Sequence, residues 1–332
     1  MLVVLETIVI IALLLVMLFD KPNNPDYYRG FLSPSVYAGI MEPKSFTIFN
    51  FNPLRSYLQS YIENNSFDVS LYVENLRDES TFAINSNRGV FPASLNKIPV
   101  AVLIMNKIEK GELNYNTQLG INKTILNSNT DKIYFENDRL SVKFLLDRML
   151  KESDNDAFYI LLRNIDVNYL NNLMDYYNID AANSFKYSGA NLENNNRLTP
   201  RSFANMFLSL YFSTVLDAKD SEYILSTLAN TTFDMNKPAN LPDYVVVAHK
   251  YGIHTENDLN VFNDCGIIYI NNDAKGRILY CITIRGQDTP TSVGITAYLV
   301  NNIYKYYLYK RLELDTFKQD IIAIKNQTLK QD

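Results

Sequence analysis

"FPASLNKIPVAVLIMNKIEKGEL", residues 91–113, sets a serine and a lysine at the mouth of an apolar helix. Ser94 follows Phe91-Pro92-Ala93, and Lys97 comes one helical turn later. If the helix begins near Ser94, the two side chains share a face. An ammonium has little structural reason to occupy a first helical turn, where the backbone dipole disfavours cations. The stretch therefore reads as chemistry placed on a helix start.

Working outward, "NFNPLRSYLQSYIENN" predicts a helix with Asn52 as its cap and Pro53 in its first turn. Leu54, Tyr57, Leu58, Tyr61 and Ile62 form its apolar stripe. "FDVSLYV" alternates Phe67, Val69, Leu71 and Val73, the pattern of a half-buried strand. "ENLRDES" is its turn and "TFAINS" the return strand, which leads into the Ser94 helix. Beyond it, "LSVKFLLDRMLKES" places Val142, Leu145, Leu146, Met149 and Leu150 at helical spacing behind a Ser141 cap. "DAFYILLRNI", "VNYLNNLMDYYNI", "LTPRSFANMFLSLYF" (capped by Thr199, with Pro200 first) and "SEYILSTLAN" continue a helical middle. Strands return at "YVVVAHK", "VFNDCGIIYI" and "GRILYCITIR", and "SVGITAYLVNNIYKYYLYKRL" closes the chain as a long helix. An antiparallel sheet interrupted by a helical insertion is an α+β arrangement: a sheet layer packed by the terminal helices, plus an all-helical lobe. A ligand belongs in the cleft between the two.

The chain has 332 residues, 47% hydrophobic and 20% charged, which suits a globular protein with a substantial core. A net charge of −5 gives no electrostatic case for nucleic acid. Two cysteines and two histidines argue against a zinc site, and neither metal nor cofactor is expected. The N-terminus reads as a membrane anchor over residues 1–19. Leu2 to Phe19 is apolar apart from Glu6 and Thr7, approaches the ~20 residues that span a bilayer, and stops at Asp20-Lys21-Pro22. No small-residue cleavage site follows. Lys21 and Arg29 on its far side oppose the orientation of an exported domain. Residues 20–46 read as a linker, 47–315 as the folded domain with its helical lobe over about 95–240, and 316–332 as a tail.

Two further stretches join Ser94-Leu95-Asn96-Lys97. Ser153-Asp154-Asn155 lies in "LKESDNDAF" at a helix–helix junction, and Lys250-Tyr251-Gly252 lies in "VVVAHKYGI" at a strand end. Singly, each has an everyday explanation: Ser94 or Ser153-Asp154 as helix caps, Lys250 as a solvated strand end. Together, in this order, they match the Ser-x-x-Lys, Ser-Asp-Asn and Lys-Thr-Gly set of class A β-lactamases and penicillin-binding proteins. From about residue 50 to 312 the chain resembles the class A β-lactamase-like serine hydrolases, in "FPASLNKIP", "RMLKESDNDAFYILL", "LTPRSFANMF", "VVAHKYG" and "NDCGIIY". The resemblance implies a β-lactamase/transpeptidase-like fold.

A serine hydroxyl needs a base to become a nucleophile. Lys97, with its ammonium disfavoured by burial beside Lys250, can be that base. The helix start offers the Ser94 N–H to an oxyanion. The resemblance supplies the remaining roles. The Ile253 N–H, after Gly252, is the second oxyanion donor. Ser153 bridges Lys97 and Lys250 and passes a proton to the leaving group. Asn155 holds a substrate amide, and Lys250 attracts a substrate carboxylate. Tyr251 stands where the family has Thr or Ser.

The family's Glu-x-x-Leu-Asn loop, whose glutamate activates the deacylating water, is not kept in "NSFKYSGANLENNNRLTP". Glu193 is the only acid there, and is the candidate deacylation base if the loop is reshaped. These features imply a membrane-anchored, extracytoplasmic hydrolase working through acyl-Ser94 on β-lactam or D-peptide-like substrates, with slow deacylation. The alternatives are a peptidoglycan- or peptide-binding pseudoenzyme and a true β-lactamase using Glu193. His249 is expected to pack under the cleft rather than serve a Ser-His-Asp triad, since the chain has no Gly-x-Ser-x-Gly elbow. Cys265 and Cys281 face each other across a hairpin centred near Asp273. A disulfide suits an exported domain, but adjacent antiparallel strands strain that bond, and two buried thiols are expected.

Overall fold

A computed structural model of the chain describes residues 31–32, 49–121, 134–178, 187–188, 191–192, 197–270 and 276–328, with the backbone alone for 187–188, 191–192 and 311–328. The anchor reading of residues 1–19 and Glu193 lie outside these. Among the described residues no helix is long and apolar enough to cross a membrane.

The first helix, α1 (Asn52–Asn64), buries Leu54, Leu58 and Ile62. Its cap is Phe51 rather than Asn52, because the Asn50 side chain accepts the Asn52 N–H at 3.0 Å and starts the helix one residue early. Pro53 falls in the first turn, where its missing N–H costs nothing. Tyr57 and Tyr61 are not in the core. They meet Tyr298, through a 2.6 Å hydroxyl contact and a ring stack at 4.0 Å.

The sheet is antiparallel in the order β2-β1-β9-β8-β7, from β1 (Asp68–Asn75), β2 (Thr81–Ile84), β7 (Val245–Glu256), β8 (Leu259–Ile270) and β9 (Gly276–Arg285). On one face Val69, Leu71, Val73, Ile268 and Ile282 pack against α1 and the closing helix α8 (Thr289–Thr328). On the other, Ala248, Ile267 and Leu279 pack against the helical lobe. Helices cover both faces, so β1 is buried on both sides and not half-buried as its alternation predicts. Helix α8 also runs beyond residue 315, where the sequence reading ends the domain.

Between β2 and β7 lie a 3-10 turn (Ala93–Asn96), α2 (Lys97–Glu109), the β3–β4 hairpin (Gln118–Gly120, Arg139–Ser141), α3 (Val142–Lys151), α4 (Asn155–Leu162), α5 (Val167–Tyr177), the β5–β6 hairpin (Tyr187–Ser188, Asn191–Leu192), α6 (Pro200–Tyr211) and α7 (Ala218–Leu228). Capping follows the sequence signals. Ser141 accepts the Phe144 N–H, and Thr199 accepts the Ser202 N–H ahead of Pro200. Phe31 and Leu32, within the stretch read as linker, are docked: Glu222 accepts the Phe31 N–H at 2.8 Å, Tyr269 donates to the Phe31 carbonyl, and Leu32 is buried.

Cys265 and Cys281 are joined by a disulfide, correcting the expectation of two thiols. The β8–β9 register sets them directly opposite, with Cα atoms 4.0 Å apart.

Leu58 is fully buried between α1 and the sheet. Leu58→Ala is expected to destabilise the protein by about 2–5 kcal/mol. The urea midpoint should fall with an unchanged slope, and a midpoint within error of the parent would contradict this packing.

Candidate active site

Three segments converge where the edge strand β7 meets the helical lobe. Ser94 sits in the 3-10 turn, after Ala93 at φ +51°, and Lys97 opens α2. Ser153, at φ +58°, ends the α3–α4 connection, and Asp154 caps α4 by accepting the Ala157 N–H at 2.9 Å. Positive φ at two non-glycine residues costs about 1–3 kcal/mol each, and such strain gathers where a site needs a fixed geometry. At Ser153 it lets one residue present both its carbonyl and its hydroxyl to the same amine.

That amine is Lys97, only 2% exposed. Its Nζ lies 2.7 Å from the Ser153 carbonyl, 2.7 Å from Asn155 Oδ1, 2.9 Å from Ser94 Oγ and 3.2 Å from Ser153 Oγ. Ser153 Oγ donates to Ser94 Oγ at 2.9 Å. The two short partners, a carbonyl and an amide oxygen, can only accept. They take two N–H bonds, and Nζ also reaches the hydroxyls of Ser94 and Ser153. Burial, reinforced by the nearby Lys250 charge, holds the Lys97 proton affinity well below the ordinary lysine range, and Asp154 opposes this only in part.

Ser94 is not a helix cap, since its hydroxyl is committed to Lys97 and Ser153. Nor is Lys250 a solvated strand end: it is 1% exposed, and burial brings it down to about 7 against the pull of Asp264. Among the described residues its Nζ has one hydrogen bond, to the Tyr251 carbonyl at 3.3 Å, and it lies 4.9 Å from the Tyr251 ring centre. Ser153 therefore bridges Lys97 to Ser94, and not Lys97 to Lys250 as the family resemblance implies. The Tyr251 ring packs edge-on to Phe233 at 4.9 Å and parallel to Phe262.

Gly252 sets the closeness of the approach. A Cβ there would lie 2.8 Å from the Ser94 backbone nitrogen and 3.0 Å from the Ala93 Cβ. Only glycine lets β7 lie against the Ser94 amide. Ile253, the next residue on the outer strand, is 45% exposed. Asn263, opposite Gly252 in register, donates to the Phe91 carbonyl at 3.0 Å and accepts from the Thr283 hydroxyl, tying the sheet to the strand end before Ser94.

His249 packs under the cleft as expected. Asp264 lies 3.0 and 3.1 Å from its Nδ1, and Nε2 is 2.8 Å from the Phe233 carbonyl. Both ring nitrogens are thus engaged away from Ser94, and the pair is not part of a Ser-His-Asp triad. Asn263 and Asp264 carry no role in the sequence reading, although "NDCG" points to them; their contacts depend on strand register, which one strand's sequence does not reveal.

This geometry agrees with the comparisons. A profile described as the beta-lactamase enzyme family matches residues 53–307. The chain is 26% identical over 288 residues to Beta-lactamase VEB-1 of Pseudomonas aeruginosa, covering 80% of this chain and 95% of that protein. Its fold is similar to the TLA-3 extended-spectrum beta-lactamase, with a TM-score of 0.68 at 22% identity over 78% of this chain and 99% of the other. A PBP-A mutant solved as an acyl-enzyme complex with penicillin G aligns with a TM-score of 0.67 at 18% identity, covering 81% of this chain and all of that one (100%). The chain belongs to the beta-lactamase enzyme family and is a serine hydrolase of β-lactamase/transpeptidase-like fold.

Gly252→Ala is expected to cost about 1–3 kcal/mol through the forced backbone shift. If the Ser94 and Ile253 N–H groups meet an oxyanion, it should also slow acylation of Ser94 by a serine-directed probe by about 10²-fold. An alanine variant of parental stability and reactivity would show that the contact at Gly252 is not needed.

Proposed function

We propose that the chain is an acyl-transferring serine hydrolase for β-lactam or D-peptide-like amides, in which Ser94 is the nucleophile and Lys97 its base. The observation that carries this reading is the buried Lys97 amine, held by acceptor-only partners and facing the Ser94 hydroxyl at 2.9 Å. Ser94 Oγ attacks the substrate carbonyl carbon and gives its proton to Lys97. The developing oxyanion is met by the Ser94 and Ile253 N–H groups. When the tetrahedral species collapses, the C–N bond breaks, the leaving nitrogen takes the Ser153 hydroxyl proton, and Lys97 returns one to Ser153. Asn155 keeps its amide N–H groups for the substrate while its oxygen serves Lys97. Lys250 is the buried cation for a substrate carboxylate.

Hydrolysis of the acyl-enzyme needs a second activated water. The family's glutamate pattern is absent from "NSFKYSGANLENNNRLTP", so acyl-Ser94 outlasts its formation. The apolar stretch Leu2–Phe19 would hold the domain at the outer face of a membrane, where such substrates lie.

Time-resolved intact-mass spectrometry of the full-length chain with penicillin G tests this proposal. A persistent adduct that maps to Ser94, absent in Ser94→Ala and formed about 10²–10⁴ times more slowly in Lys97→Ala, is expected. An adduct that forms and clears with turnover would overturn the slow second step. No adduct with any β-lactam or D-peptide thioester would sink the catalytic assignment and leave a binding protein.

A further inference from the structure

Lys250 is a buried cation with no anion against it. It is 1% exposed, and among the described residues no carboxylate is in ion-pair contact with it. A charge withdrawn from water needs a partner. Tyr251 supplies two. Its carbonyl accepts from Nζ at 3.3 Å, and its ring centre lies 4.9 Å from the same nitrogen. A cation within about 6 Å of a ring centre is drawn to the negative ring face, and more strongly where water is excluded. Packing fixes the ring itself. Phe233 meets it edge-on at 4.9 Å, and the buried Phe262 lies parallel to it at 6.3 Å. The Tyr251 hydroxyl has no hydrogen bond among the described residues, so the hold on Lys250 comes from the ring and the main chain. The threonine of the Lys-Thr-Gly pattern has no ring to offer, so this arrangement belongs to the tyrosine of this chain. The charged groups around Lys250 are Lys97 at the start of α2, Asp264 on β8 and His249 one residue back along β7. None of them shares a hydrogen bond or an ion pair with it. A carboxylate partner would cancel the lysine charge, whereas a neutral ring holds the ammonium and cancels nothing.

We propose that Tyr251 is a positioning residue whose ring, in place of a carboxylate, holds the Lys250 ammonium with its charge uncancelled for an anionic group of the substrate. The site then discriminates for substrates that carry a carboxylate and against their neutral analogues, and the aromatic ring is what sustains that preference. The hydroxyl of Tyr251 has no part in it. The preference among substrates rests on the function proposed above, whereas the contact between ring and ammonium does not.

The test follows the Lys250 side-chain NMR signals in the full-length chain, assigned by their loss in Lys250→Arg. In the unaltered chain the ε protons should be shifted upfield by the ring they sit against; ordinary lysine shifts would overturn the proposal, whether or not any variant folds. Tyr251→Phe should leave the Lys250 titration midpoint unchanged. Tyr251→Leu, which keeps an apolar side chain and loses the ring, should lower it by about 0.5–1 pH unit, because a group favouring the ammonium is gone. Parental midpoints in both variants would mean that the ring only packs. Equal shifts in both would mean that the hydroxyl holds the lysine. Either result contradicts the proposal. Acylation of Ser94 by penicillin G and by its methyl ester, compared at pH 7, gives the functional readout. The acid should be preferred in the unaltered chain and in Tyr251→Phe, and that preference should fall about two- to fivefold in Tyr251→Leu with the lost ammonium fraction. Rates that fall alike for acid and ester are what a merely structural role gives, and would contradict the proposal. Midpoints that move as expected, without acylation by either compound, would leave the contact standing and remove the proposed function.

Discussion

The rest of the site depends on how the Lys97 amine is buried. An ammonium removed from water at the start of a helix meets two penalties, desolvation and the unfavourable end of the helix dipole. The structure meets them by surrounding Nζ with oxygen from two segments distant in sequence: the Ser94 turn and the Ser153–Asn155 turn. The same contacts that satisfy the nitrogen clamp α2 to the start of α4, so the local fold and the proton acceptor are one construction. The left-handed backbone at Ser153 belongs to that clamp, because without it the carbonyl and hydroxyl of one residue could not both reach the amine.

The sheet supplies the opposite wall. It is buried on both faces, and its outermost strand, β7, lies against the Ser94 turn through Gly252. Asn263 fastens the neighbouring strand to the Phe91 carbonyl, so the approach is held from two strands. Two lysines are then buried close enough for the Lys250 charge to act on Lys97. Their mutual repulsion is part of what keeps Lys97 suited to accept a proton.

Much of this was legible in the sequence. The alternation of Val69, Leu71 and Val73, the caps Ser141 and Thr199, and the order of strands around a helical insertion give the α+β layout, because each is a local preference that tertiary packing reinforces. Ser94, Lys97, Ser153 and Asn155 lie at the ends of elements while Lys250 and Gly252 lie within β7; they were legible as a set through the order of the three short motifs. Contacts that depend on register were not legible. The partners of Asn263 and Asp264 and the bond from Ser153 to Ser94 rather than toward Lys250 arise from pairings across residues that no local pattern fixes, whereas the facing of Cys265 and Cys281 was legible and only their bond was not. The start of α1 differed for a smaller reason, a side-chain acceptor at Asn50 competing with the expected cap.

On the proposed function, Ser94 is activated by a lysine whose proton affinity burial holds down. The rate constant for Ser94 acylation by penicillin, measured from pH 5 upward at constant ionic strength, tests it most directly. A depressed Lys97 predicts an acid limb well below the ordinary lysine range of about 10. A rate that climbs tenfold per pH unit through neutrality and levels only near the ordinary lysine value would contradict the account.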